Sequence, residues 1–184
     1  MKTYIALLRG INVGGKHKVP MADLKQIFES LGYTSVKTYI NSGNVIFKSE
    51  NEALKSMQEA LEGTLKDFFQ FEIPLVIITL EQLEQVLNEA PAWWDKTNKA
   101  YYHTAIFIIP PAQQDDIIEV MGEANAEFES VQSGPDVIYW SADLQNYSKS
   151  RWSKTASTSI NNCITLRTAN TVYKLLELSQ KLKD

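Results

Sequence analysis

Cysteine is almost absent from the 184 residues: Cys163 stands alone. No intrachain disulfide can form, the zinc patterns that need several thiolates are excluded, and a reducing compartment is expected. Histidine is nearly as scarce, since His17 and His103 are far apart and lack the spacing of metal ligands. No apolar stretch approaches the ~20 residues of a membrane helix. The strand-like run Thr3–Leu8 behind Met1 is too short for the apolar region of a signal peptide. These absences predict a soluble cytoplasmic chain with no membrane association.

Catalytic signatures are missing too. No Gly-x-Ser-x-Gly elbow or Ser-x-x-Lys motif surrounds a serine. Asp115 and Asp116 sit at an expected helix start, where carboxylates are routine. No cofactor and no metal is implied, and no reaction can be read from the chain.

What is present suits a globular protein. Apolar residues make up 44% and charged residues 22%, enough to bury a core in one large domain or two small ones. The net charge of −4 is unevenly spread. Residues 1–80 carry nine cationic and eight acidic side chains, residues 81–143 carry two and twelve, and residues 144–184 carry seven and two. Two neutral-to-basic ends around an acidic middle fit either an anion site or simple pairing of oppositely charged faces.

The pattern of elements predicts an α+β fold of two ferredoxin-like β-α-β-β-α-β halves with an extra C-terminal helix. A buried strand from Thr3 to Arg9 leads through the glycine-bearing loop 10–18 to a helix opened by Pro20 and stopped by Gly32. Strands Tyr33–Ile40 and Val45–Lys48 flank Asn41, Ser42, Gly43 and Asn44, a hairpin turn by composition. Leu54, Met57, Leu61 and Leu65 mark a long amphipathic helix, followed by a strand from Pro74 to Thr79. These residues, 1–80, form the expected first half. Residues 81–98 are read as a helix, begun by a Thr79–Gln82 capping box, and a linker containing Trp93 and Trp94. The adjacent tryptophans suit a seam between halves or a ligand platform.

Residues 99–184 form the second half and resemble a duplicate of the first. A strand Tyr101–Ile109, a helix opened by Pro111, and strands Glu127–Gln132 and Val137–Trp140 are expected. A helix at Ser148–Ser159, a strand Cys163–Arg167 and a last helix carrying Val172, Leu175 and Leu176 complete it. Ser42-Gly43 and Ser133-Gly134 each precede an apolar strand, which is the clearest sign of repetition.

The densest polar chemistry lies in the loop of Arg9, Asn12, Gly14, Gly15, Lys16 and Lys18. Glycines allow main-chain N–H groups to converge, and the following helix N-terminus adds positive potential. The spacing matches neither the P-loop nor the dinucleotide fingerprint. In a β-α-β-β-α-β sheet the first strand pairs antiparallel with the third, so this loop should meet Asn41, Ser42 and Asn44 on one rim. The bland alternative is that those amides only satisfy a turn. The tract Lys149, Arg151, Trp152 and Lys154 would suit a phosphate backbone and a stacked base, although Trp152 at helical spacing is also a core residue. Arg167 and Asn170 flank the last helix's start, where they would cap it or face a ligand.

At residues 6–15, Ala-Leu-Leu-Arg-Gly-Ile-Asn-Val-Gly-Gly, and 38–45, Thr-Tyr-Ile-Asn-Ser-Gly-Asn-Val, the chain resembles the domain of unknown function 1697 family. The similarity extends over nearly the whole chain, including Ser153-Lys154 and Thr168 to Leu175. Family members often read Arg-Asn-Trp-Asn-Thr near the end, whereas Ala169 here replaces the Trp, so no stacking ring is implied there. The resemblance implies small bacterial proteins of two-part, ferredoxin-like α+β architecture. It implies no catalytic residue and no substrate. Three functions stay open on the sequence. The first is a binder of a phosphorylated small molecule or nucleic acid at the rim. The second is an enzyme recruiting Lys154 or Arg167 to that rim, and the third a structural module forming homo-oligomers.

Overall fold

A computed structural model describes residues 1–50 and 53–182. The chain divides into two compact units, one of Met1–Leu83 with Leu175 onward, the other of Glu84–Lys174.

In the first unit the elements run β1 (Lys2–Leu8), α1 (Met21–Ser30), β2 (Thr34–Tyr39), β3 (Asn44–Ser49), α2 (Leu54–Phe69), β4 (Leu75–Thr79) and the start of α3 (Leu80–Asn88). The sheet order is β2-β3-β1-β4, antiparallel throughout. Alternation along β1 places Tyr4, Ala6 and Leu8 on one face with Val45, Phe47, Leu75 and Ile77. Leu24, Ile27 and Phe28 of α1 and Met57, Leu61 and Leu65 of α2 close over that face at 3-to-4 spacing. Ile5, Leu7, Ile46, Val76 and Ile78 of the other face are buried as well, hence the unbroken apolar run of β1. The expected capping box forms. Gln82 N donates to Thr79 Oγ1 at 3.1 Å, and Thr79 N donates to Gln82 Oε1 at 2.9 Å.

The second unit repeats the strand order. β5 (Tyr101–Ile108), α4 (Gln114–Met121), β6 (Glu129–Ser133), β7 (Val137–Asp143) and β8 (Ile164–Thr168) give an antiparallel sheet β6-β7-β5-β8, and the start of α5 (Ala169–Gln180) follows. Two elements depart from expectation. The helix expected from Pro111 begins at Gln114, where the Asp116 carboxylate accepts from Gln113 N at 2.7 Å. Where a helix was expected at Ser148–Ser159, three 3₁₀ segments stand: Leu144–Lys149, Trp152–Ser157 and Ser159–Cys163. Ser153, Ser157 and Thr158 each turn the side-chain hydroxyl onto the carbonyl three residues back, competing with the α-helical ladder. Trp152 is core here, packed with Ile117, Met121, Ile138, Trp140 and Ile160. Trp94 is also buried inside this unit, with its indole N–H on the Thr104 carbonyl and its ring edge-on to Tyr139. The two α+β halves and the C-terminal helix stand as the sequence predicts. Among the described residues no helix is long and apolar enough to cross a membrane.

Candidate functional site

The rim of the first sheet assembles as topology requires. Leu7 pairs with Asn44, Leu8 N donates to the Gly43 carbonyl at 2.8 Å, and Arg9 N donates to the Pro74 carbonyl at 2.9 Å. These bonds carry the end of β1 to the start of β3. Beyond them the chain leaves the sheet as a small hairpin. Asn12 N donates to the His17 carbonyl and Lys16 N to the Val13 carbonyl, both at 3.0 Å. Gly14 and Gly15 occupy the tip with φ of 58° and 74°, the paired positive values of a type I′ turn. Their role is to turn this hairpin, which leaves the tip exposed and carries Lys16, His17 and Lys18 back along one side.

Asn12 fastens the hairpin to the sheet. Its Nδ2 donates to the Val19 and Asn41 carbonyls at 2.9 Å each, and its Oδ1 accepts from Val19 N at 2.9 Å. The amide therefore spans both ends of the loop and the β2–β3 turn. Asn44 is fully buried and similarly committed, its Nδ2 donating to the Tyr39 carbonyl and to Ser42 Oγ. Both amides build the rim. Those left to face a ligand are the exposed Asn41 side chain and the Lys16 and Lys18 ammonium groups, which meet no carboxylate among the described residues. His17 stacks on Phe71 at 4.5 Å, a contact sequence reading missed because the two rings are distant in the chain. Replacing Asn12 with Ala removes three bonds at once. Amide hydrogen exchange at Val19 is expected to accelerate at least tenfold, against an unchanged rate in β1; equal protection in the variant would refute the fastening role.

Lys154, Arg167 and Asn170 belong to the second unit. Lys154 is exposed on a 3₁₀ segment, while Arg167 is buried and donates to Thr165 Oγ1 at 2.7 Å and the Leu166 carbonyl at 2.8 Å. Asn170 is exposed in the first turn of α5 and lines a cavity of about 240 Å³ at the start of β5. A larger cavity, about 570 Å³, lies in the first unit at the opposite end of the sheet from the rim, between Tyr33, Lys48 and Met57. Among the described residues no group of His, Cys, Asp and Glu is arranged to hold a metal ion.

Fold and rim together define an α+β protein of two ferredoxin-like sheets, the first ending in a cationic hairpin. The chain belongs to the family described as Protein of unknown function (DUF1697), whose model matches residues 1–139. It is similar to the solved structure of the conserved bacterial protein SP0830 from Streptococcus pneumoniae. The two share 31% identity and a TM-score of 0.86 over 97% of this chain and 98% of that one. No curated protein matches.

Proposed function

We propose that the protein binds a phosphate-bearing ligand, a nucleotide or RNA, at the rim formed by Arg9, Asn12, Gly14, Gly15, Lys16, Lys18, Asn41, Ser42 and Asn44. The observation that carries this reading is the Asn12 fastening. A loop needed only to connect β1 to α1 has no use for a protruding hairpin tied at both ends. Here the tie holds Lys16 and Lys18 on a preorganised support, which lowers the ordering cost of binding. The loop from residue 9 to residue 18 contains four basic or titratable nitrogen side chains, Arg9, Lys16, His17 and Lys18, and no acid. Its field is locally positive although the chain's net charge is −4. The exposed Asn41 amide adds a donor and an acceptor for sugar or base edges.

The test is fluorescence anisotropy with a labelled single-stranded RNA and, separately, a labelled ATP analogue. Lys16→Ala/Lys18→Ala is expected to weaken binding at least tenfold. For RNA, the double variant should also reduce the slope of log affinity against log salt by about 1.4, or ~0.7 for each lost phosphate contact. Both lysines are exposed, so the thermal midpoint should stay unchanged. Unaltered affinity and salt slope in the double variant would remove the proposal.

A further inference from the structure

We infer that the ligand of the rim is a single strand of RNA, with bases stacked on His17 and on Phe68, the two exposed ends of a connected row of four rings. The inference rests on the proposed rim site and selects the strand over the mononucleotide as its ligand.

Strand order brings the row to the rim. β1 lies between β3 and β4, so the loop joining α2 to β4 reaches the end of β1 on the side away from the β2–β3 turn. The bond from Arg9 N to the Pro74 carbonyl fastens it there. His17 stacks on Phe71 of that loop, with centroids 4.5 Å apart and planes 23° from parallel. Its Nδ1 lies 3.3 Å from the Gly10 carbonyl oxygen, so the imidazole is held from both sides of the loop. Phe71 covers one face of the ring, yet His17 is exposed, which leaves the other face open. Phe69 follows 6.1 Å from Phe71, and Phe68 lies 4.9 Å from Phe69. Phe71 and Phe69 are half-buried against the core of the first unit and form a fixed spine, whereas Phe68 is 58% exposed.

A lone phenylalanine on a surface needs no explanation, but connected rings running out from a basic loop do. Aromatic and basic side chains set together are what a single strand needs, because rings stack bases of any identity while cations follow the phosphates. Charge divides these roles. Lys16 and Lys18 flank His17 in the chain and meet no carboxylate among the described residues, so the phosphates belong with them. At the other end Glu72 is paired with Lys66 at 3.0 Å, and Asp67 adjoins Phe68. That end suits an uncharged base and repels a phosphate. A mononucleotide has one base and can use only one exposed ring; a strand of several nucleotides uses both and still lays its phosphates on the lysines.

Anisotropy of the full chain would be measured with a labelled six-nucleotide RNA, the same strand stripped of its bases, and a labelled ATP analogue. The base-bearing strand is expected to bind at least about tenfold more tightly than either of the others. Phe68→Ser should weaken the base-bearing strand about tenfold, leave the abasic strand and the ATP analogue unchanged, and keep the salt slope. Phe68→Trp retains a ring and should retain the affinity. Phe68 is exposed, so neither substitution should move the thermal midpoint. Lys16→Ala/Lys18→Ala should instead weaken both strands alike, since both carry the phosphates. Equal affinity for the two strands, an ATP analogue bound as tightly as the RNA, or wild-type affinity in Phe68→Ser would overturn the inference. In each of these cases a surviving effect of the lysine pair would leave the rim itself standing as a phosphate site. A chain that binds none of the three probes loses the rim reading and this inference together.

Discussion

Gly43→Val is expected to destabilise the first unit by about 3 kcal/mol, from backbone strain and overpacking together. Gly43 has φ of 84°, the left-handed region, where a branched side chain is strained by about 1–2 kcal/mol. A Cβ built there would lie 2.8 Å from Leu8 Cβ and 2.8 Å from Ile11 Cδ1. Ile11 can swing its terminal carbon aside. Leu8 cannot, because its Cβ is fixed by β1 and its N–H is bonded to the carbonyl of Gly43 itself. Relief must therefore open the β1–β3 pairing at the rim, with the further cost of an overpacked core. Gly14→Val provides the contrast, since that position also has positive φ but nothing lies within 4 Å of its Cβ. It should cost only the strain, about 1–2 kcal/mol. All four tryptophans lie in the second unit, so hydrogen exchange in β1 and β3, not tryptophan fluorescence, is the proper readout. Equal losses in the two variants would mean that close approach at Gly43 does not matter.

This contact shows which parts of the molecule can be read from sequence. The meeting of residues 9–18 with residues 41–44 follows from strand order alone, because antiparallel pairing of the first and third strands fixes which loops share a rim. The Thr79–Gln82 cap is equally legible, being local and carried by residue types suited to little else at a strand-to-helix step. The use of each polar side chain is another matter. Asn12 and Asn44 read as ligand-facing amides, yet their bonds run to main-chain groups up to 29 residues away, which no spacing rule anticipates. The stretch Ser148–Ser159 misleads for a related reason. Its apolar spacing suits a helix, but its hydroxyl residues bond their own backbone and bend the chain into 3₁₀ segments. The cavity beside His103 needs β5, the preceding loop and α5 to meet, and its residues are scattered from Lys96 to Asn170. Each element is visible in the sequence, while the convergence is not.

The other large effect is expected at Glu129, an acid that composition places in an acidic stretch and the fold puts inside the second unit. It is 4% exposed and accepts five hydrogen bonds. Asn125 N and Arg151 N donate to Oε1 at 2.9 and 3.1 Å, and Trp140 Nε1 and Trp152 N donate to Oε2 at 3.3 Å. Ser150 Oγ makes a short bond to Oε2. One carboxylate thus anchors the 3₁₀ run to the start of β6 without a cation, because N–H and O–H dipoles supply the positive field. Glu129→Gln keeps the shape but replaces an acceptor oxygen with an NH₂ that faces donors. Leaving two or three of them unsatisfied should cost about 3–4 kcal/mol, measured by urea unfolding with tryptophan fluorescence, since Trp140 and Trp152 both bond within this cluster. The effect depends on pH. Burial alone would raise the carboxyl's pKa, but the bonds from Asn125, Ser150, Arg151 and Trp152 outweigh it and hold the group below its ordinary 4.5. The folded state therefore binds its proton less readily than the unfolded chain does. The carboxylate's contribution is full above the unfolded pKa and falls away as pH drops through the folded one. The wild type's advantage over Glu129→Gln should be constant from pH 8 to about 5.5 and shrink progressively below about pH 4.5. A cost below about 1 kcal/mol at pH 7, or a gap that does not narrow in acid, would show that the five donors are satisfied by other means.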